Sequence, residues 1–95
     1  MFIVFLRFSD NKNMASQFIE DHKDWLNSGF KDGIFFLSGS IQPHMGGMVA
    51  AHGTSLPELE ARINKDPFVI HRVVSAEIIE VSPTKVDERL CFLLD

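Results

Sequence analysis

The stretch MFIVFLRF, residues 1–8, decides the fold, because it is apolar on both of its alternating faces. In an extended chain Phe2 and Val4 point to one side, and Ile3 and Phe5 point to the other. A strand with two apolar faces is covered on both sides in a folded protein. The sequence therefore predicts a strand inside the sheet, with a layer of protein on each face.

An amphipathic helix is predicted after this strand, over Met14 to Ser28. Its apolar residues recur with a period of about 3.6 residues, which places them on one side of a helix. Asn11 or Asn13 could cap its first turn. Gly29 is expected as the C′ residue that ends it.

Three more strands and a second helix follow. The strands are predicted over Gly33–Ile41, Gly46–His52 and Val73–Val81, and the helix runs from the N-cap Ser55 to a stop at Asp66-Pro67. The order β-α-β-β-α-β is the ferredoxin-like arrangement, an α+β fold with a four-stranded antiparallel sheet and two helices on one face. The second sheet face needs a cover from outside the chain. A homodimer with the sheets face to face meets that need.

Length and composition limit the classes of protein that fit. A chain of 95 residues holds one domain, which we assign to residues 1–95 with a core of 1–83 and a C-terminal tail of 84–95. The net charge is −4, and no run of Lys or Arg is present, so nucleic acid is not an expected partner. No apolar run approaches the length of a membrane span, and the N-terminus lacks the features of a signal peptide. We expect a cytoplasmic protein.

The cysteine and histidine pattern indicates neither a disulfide nor a metal centre. Cys91 is the single cysteine, and nothing beside it would activate its thiol. His52 and His71 have no spacing typical of metal ligands. The sequence therefore predicts no metal and no cofactor.

His22 lies near the middle of the apolar stripe of the first predicted helix, between Phe18 and Trp25. An imidazole there must find a hydrogen-bonding partner, because an unsatisfied buried polar group costs about 1–3 kcal/mol. Asp66 is the best candidate partner. Two alternatives remain open: His22 bonded only to a backbone carbonyl, and Asp66 acting only as the N-cap of a short helical turn that contains Phe68.

The chain resembles the YciI-like (YCII-related) proteins over nearly its whole length. The matching elements are Met1-Phe2-Ile3-Val4, His22 with Trp25-Leu26, Ser38-Gly39, Gly46-Gly47, Asp66-Pro67-Phe68-Val69 and Val81-Ser82-Pro83-Thr84. This resemblance implies a dimeric α+β barrel with a cleft between helix and sheet. Where an activity is assigned in the family, it is dehydrochlorination of a chlorinated hydroquinone-type ring.

The resemblance also implies a site. The family's proposed His–Asp dyad maps onto His22 and Asp66, with Ser38 and Gly39 nearby. Were the dyad present, a His22 ring nitrogen would lie within about 3.5 Å of an Asp66 carboxylate oxygen, or one water away.

Three further assignments concern the surroundings of the dyad. Ser38-Gly39-Ser40 interrupts the second strand, which favours a bulge, with a role in ligand binding as the second possibility. His44, in the turn after that strand, is a candidate substrate-binding residue, since family members often carry a basic residue there. Phe68 is the fourth substrate-binding candidate, after Ser38, Gly39 and His44.

Two hypotheses for the function follow. The first is a small enzyme, a lyase or isomerase, whose His22–Asp66 dyad transfers a proton on a small cyclic or aromatic substrate. The second is a non-catalytic module that binds a small ligand or a protein in the same cleft. The chain departs from the family at Ser40, where proline is common, and at His71-Arg72, where a small pair is usual. The identity of the substrate therefore does not follow from the resemblance.

Overall fold

Four antiparallel strands form one sheet, and the N-terminal strand lies inside it. In the computed structural model, which describes residues 1–94, the strands are β1 (Phe2–Phe8), β2 (Phe35–Ile41), β3 (Gly46–Ala51) and β4 (Val74–Glu80). Their order across the sheet is β2-β3-β1-β4, so that β1 pairs with both β3 and β4. This order confirms the ferredoxin-like prediction. The last residue of the predicted tail, Asp95, lies outside the described residues.

The described residues contain three α-helices: α1 (Ala15–Lys31), α2 (Leu56–Ile63) and α3 (Pro67–Ile70). Short 3₁₀ segments cover Lys12–Met14 and Glu88–Leu94. The core joins the helices to one sheet face and contains Phe2, Val4, Leu6, Trp25, Leu59, Ile63 and Phe68. Within residues 1–94, no helix is long and apolar enough to cross a membrane.

The ends of α1 differ from the prediction. Neither Asn11 nor Asn13 caps the helix, because a 3₁₀ turn precedes it and its N-cap is Met14, which makes no side-chain bond. The helix also continues through Gly29 to Lys31. Gly29 is buried against the ring of Phe35, where a Cβ would overlap the ring. The glycine is therefore required for close packing. The prediction that Gly29 is the C′ residue of the helix is wrong.

The bulge in β2 also lies elsewhere than predicted. Ser38, Gly39 and Ser40 pair in regular register with β3, and the irregularity falls between Phe35 and Leu37. Phe36, the residue between them, packs its ring edge-on against His52. The prediction of a bulge at Ser38-Gly39-Ser40 is wrong, because the residue left without a partner in β3 is Phe36.

The second helix starts as predicted. The Ser55 side chain accepts a hydrogen bond from the Glu58 backbone N–H, and Leu59 and Ile63 are buried. Leu56, the first residue of α2, is 40% exposed. The buried side of this short helix therefore consists of Leu59 and Ile63.

The sheet face opposite the helices carries a row of apolar side chains that crosses all four strands. Ile79 pairs with Ile3, Ile3 with Ala50, and Ala50 with Leu37. Leu37 is 53% exposed and Ile79 is 41% exposed. Within residues 1–94, this row has no covering layer at its two ends.

The segment after β4 runs back along the end of the sheet. The Val81 N–H donates to the Met1 carbonyl, and further on the Phe92 ring packs against Phe36 and His52. Arg89 donates hydrogen bonds to the exposed Asp87 carboxylate, which lowers the pKa of Asp87. The tail thus has ordered contacts of its own with the strand ends.

Candidate active site

His22 projects from the face of α1 that is turned toward the sheet. Ile19 and Leu26, one turn before and one turn after it, line the same cavity as His22. Its side chain is 16% exposed, so the ring is neither fully buried nor free in solvent. The His22 imidazole is therefore a polar group on the apolar side of α1, in the wall of this cavity.

Asp66 lies between α2 and α3 and makes two hydrogen bonds with one oxygen. Its Oδ1 accepts from the Phe68 backbone N–H at 3.0 Å, which caps α3, and lies 2.8 Å from His22 Nδ1. The predicted contact between His22 and Asp66 is confirmed, and so is the N-cap. Asp66 is fully buried, and its Oδ2 has no hydrogen-bond partner among residues 1–94.

The contact with Asp66 determines which ring nitrogen carries the proton. An ionised carboxylate only accepts hydrogen bonds, so Nδ1 of His22 must be the protonated nitrogen of the neutral ring. Nε2 then has a free lone pair, and among residues 1–94 it has no hydrogen-bond partner. The Phe68 ring stacks on the imidazole at a centroid distance of 4.0 Å and an interplanar angle of 7°, which fixes the ring plane.

A cavity of about 340 Å³ lies between α1 and the sheet, with His22 in its wall. Most of the wall is apolar: Leu6, Phe8, Ile19, Leu26, Val49 and Phe68. The volume lies at the lower end of the range for small-molecule sites, about 300–1,000 Å³, and such sites have apolar walls with few polar groups. The cavity therefore suits a ligand of the size of one ring.

Two serines of β2 add hydroxyl groups to the wall. Ser38 pairs with Val49, and Ser40 with Gly47, so both side chains lie on the sheet face that is turned toward α1. Gly46, which also lines the cavity, has a φ of 121°, and a Cβ there would overlap the Leu6 carbonyl oxygen. Only glycine therefore fits at that position beside the β1 backbone.

The predicted site residues are mostly brought together. His22, Ser38, Gly39 and Phe68 line the cavity, and Asp66 lies directly behind His22. His44 is exposed in the turn between β2 and β3 and does not line the cavity. Its role in substrate binding stays a prediction that this geometry does not support.

The sequence did not indicate Lys23 as a site residue, and it indicated Ser40 only within Ser38-Gly39-Ser40, where ligand binding was the second possibility; both residues line the cavity. Lys23 is four residues after Ile19, and that spacing places it on the cavity side of α1. Ser40 lies two residues after Ser38 and so points to the same sheet face. The helical spacing from Ile19 and the strand spacing from Ser38 are therefore the sequence features that could have identified these two residues.

Comparison with known proteins identifies a shared fold. No known family profile matches the sequence, and no curated protein is similar to it at a significant level. Among solved structures, the fold is similar to 5-chloro-2-hydroxyhydroquinone dehydrochlorinase (TftG) from Burkholderia phenoliruptrix AC1100, solved in complex with 2,5-dihydroxybenzoquinone. The TM-score is 0.69, with 12% sequence identity over 85% of this chain and 93% of that chain. At this identity, the likeness concerns the fold alone.

Proposed function

We propose that the chain is a small enzyme of the YciI-like type that transfers a proton on a cyclic or aromatic substrate held in the cavity between α1 and the sheet. His22 is the general base and acid, and Asp66 is the residue that positions it. One observation carries the proposal: Asp66 Oδ1 lies 2.8 Å from Nδ1 of a histidine that lines the cavity. The opposite nitrogen, Nε2, is then the atom that exchanges a proton with the substrate.

The proton balance follows from this arrangement. His22 Nε2 takes a proton from a hydroxyl group or an acidic carbon of the substrate ring. The His22 side chain then becomes an imidazolium, which the buried Asp66 carboxylate stabilises. In a lyase, the electron pair left on the substrate forms a new double bond as a halide ion departs. In an isomerase, the imidazolium returns the proton to another carbon of the same ring system.

The substrate class rests on the shape of the cavity and on the shared fold. A volume of about 340 Å³ accommodates one ring with its substituents. The structurally similar dehydrochlorinase acts on a chlorinated hydroxyhydroquinone and was solved with a quinone. Halogenated hydroquinones and small lactones are therefore the compounds to test first.

His22→Gln tests the catalytic role. Glutamine keeps a polar side chain of similar length but has no basic nitrogen, so we expect turnover to fall by at least about 100-fold, the usual contribution of general acid–base catalysis. Chloride release or a change in ring absorbance, measured over the panel of hydroquinones and lactones, gives the rate. His71→Gln is the matched control, because His71 is exposed and does not line the cavity.

Two outcomes would count against an enzyme. Equal rates for the wild type and His22→Gln would remove His22 from the chemistry. A ring compound that saturates the cavity of the wild-type protein and is never converted would favour the non-catalytic ligand-binding module instead.

We further propose that the chain forms a homodimer through the sheet face opposite the helices, as in a dimeric α+β barrel. The support is the row formed by Ile79, Ile3, Ala50 and Leu37, which is apolar across the full width of the sheet. Covering partly exposed apolar side chains stabilises an association by about 25 cal/mol for each Å² buried. A cytoplasmic location stays a prediction, which cell fractionation would check.

A further inference from the structure

We propose that the cavity selects anionic ring compounds, and that Lys23 is the residue that determines this selectivity. The inference rests on the proposed function in one respect only, because it concerns the same cavity. It does not require the bound compound to be converted.

The charges around the cavity carry the argument. Although the chain has a net charge of −4, the residues that line this cavity include one lysine and no carboxylate. The acidic neighbours of Lys23 on α1, which are Glu20, Asp21 and Asp24, are exposed and do not line the cavity. The Asp66 carboxylate lies behind His22 and is already hydrogen-bonded there, so the residues that a ligand in the cavity can contact include a cation and no anion.

Lys23 is also unpaired within the described residues. Among residues 1–94, the ion pairs use Arg7, Arg62 and Arg89 as their cations, Asp66 contacts His22, and no acidic side chain pairs with Lys23. Lys23 is itself exposed, so it lines the cavity from the side that faces solvent, and water partly screens the attraction between its ammonium group and an anion bound there. A carboxylate or phenolate on the ligand would supply the missing partner.

The serines complete a binding surface for oxygen atoms. The side chains of Ser38 and Ser40 line the cavity from β2, and Lys23 lines it from α1. Hydroxyl groups donate to carboxylate and phenolate oxygens, and an ammonium group adds three more donors. A ring bearing an anionic oxygen thus has donors from the helix and from the sheet, while its carbon atoms meet the apolar wall.

Benzoate and benzamide give a direct test, because they have nearly the same size and shape and differ in charge. We expect the wild-type protein to bind benzoate about fivefold more tightly, the ratio that one exposed ion pair of about 1 kcal/mol supplies. Chemical shift changes of the backbone amides at Ser38–Ser40 and Gly46–Gly47 report on binding at this cavity. Lys23→Met should remove the preference and leave the affinity for benzamide within about twofold.

Lys31→Met is the matched control, since Lys31 is an exposed lysine of the same helix outside the cavity, and its loss changes the net charge equally. It should keep the preference for benzoate. Lys23→Gln, which retains a polar side chain, repeats the test if the methionine variant is poorly folded.

The inference is overturned if the wild-type protein binds the two compounds equally, binds neither at the cavity, or keeps the preference for benzoate after Lys23 is replaced. These outcomes are separate from those of the His22→Gln experiment. Turnover that depends on His22 without a preference for anions would leave the catalytic proposal standing and remove this one.

Discussion

Asp66 illustrates how one buried side chain serves both folding and the proposed chemistry. Its Oδ1 caps α3 through the Phe68 N–H and also accepts from the His22 ring. The backbone donor is fixed by the helix, so it holds the carboxylate in the orientation that the histidine requires. The hydrogen bond by which Asp66 caps α3 therefore also positions the His22 imidazole, the proposed proton-transfer group.

Asp66→Asn and Asp66→Ala should separate these two roles. In the asparagine variant the Phe68 N–H keeps the amide oxygen at the Oδ1 position, so both hydrogen bonds survive without the charge, and unfolding free energy falls by about 1 kcal/mol. Alanine removes the cap and leaves the His22 N–H unpaired, which costs about 2–4 kcal/mol. Urea denaturation measures both values. Equal losses for the two variants would show that Oδ1 does not hold these bonds.

The helical period placed His22 in an apolar stripe, where it needs a hydrogen-bonding partner, and Asp66 was the best candidate. The assignment of the two residues as a catalytic dyad came from the resemblance to the YciI-like proteins. The sequence did not predict Lys23, whose acidic neighbours on α1 are all exposed. Lys23 is exposed as well, and the run of charges indicated solvent; the position of β2 opposite the helix makes Lys23 part of the cavity wall.

At the scale of elements, the strand order could be read from the sequence, whereas two details could not. Gly29 is typical of a helix end, but the Phe35 ring occupies the space beside it and requires a glycine inside α1. Side chains alternate between the two faces of a strand, and either Phe35 or Phe36 could be the one that faces the helices. The position of the bulge is therefore decided by tertiary packing against Trp25 and His52.

Gly29→Ala should destabilise the protein although alanine favours helices. The gain in helix propensity is about 1 kcal/mol, but the new methyl group overlaps the buried Phe35 ring, and overpacking of this kind costs about 1–3 kcal/mol. We expect a net loss of about 1 kcal/mol in thermal or urea unfolding. Asn27→Ala, at an exposed position of the same helix, should raise stability by about 0.5 kcal/mol. A Gly29→Ala variant that is stabilised like the control would contradict this packing.

At the scale of the whole molecule, the helices cover one face of the sheet and leave an apolar row on the other. The sequence predicted this imbalance, because β1 is apolar on both sides. It could not determine what covers the second face, since that depends on the shape of a surface assembled from four strands. The register places Ile79, Ile3, Ala50 and Leu37 in one line.

Sedimentation velocity tests the proposed dimer. We expect the wild-type protein to sediment as a dimer at micromolar concentration, and a variant with both Leu37→Lys and Ile79→Lys to sediment as a monomer, because two ammonium groups would have to be buried at the interface. Ile70→Lys, at a 57% exposed position on α3, is the control and should remain dimeric. A monomeric wild-type protein would contradict the proposal.

The central claim is that Asp66 keeps the proton on Nδ1 of His22 and leaves Nε2 free at the cavity. Nitrogen-15 NMR of the histidine side chains measures this directly, above the pH at which the rings are protonated. The account predicts that His22 has a protonated Nδ1 and an unprotonated Nε2, and that a bound ring compound perturbs the Nε2 signal most strongly. A His22 ring protonated at Nε2, with no response to ligand, would contradict it.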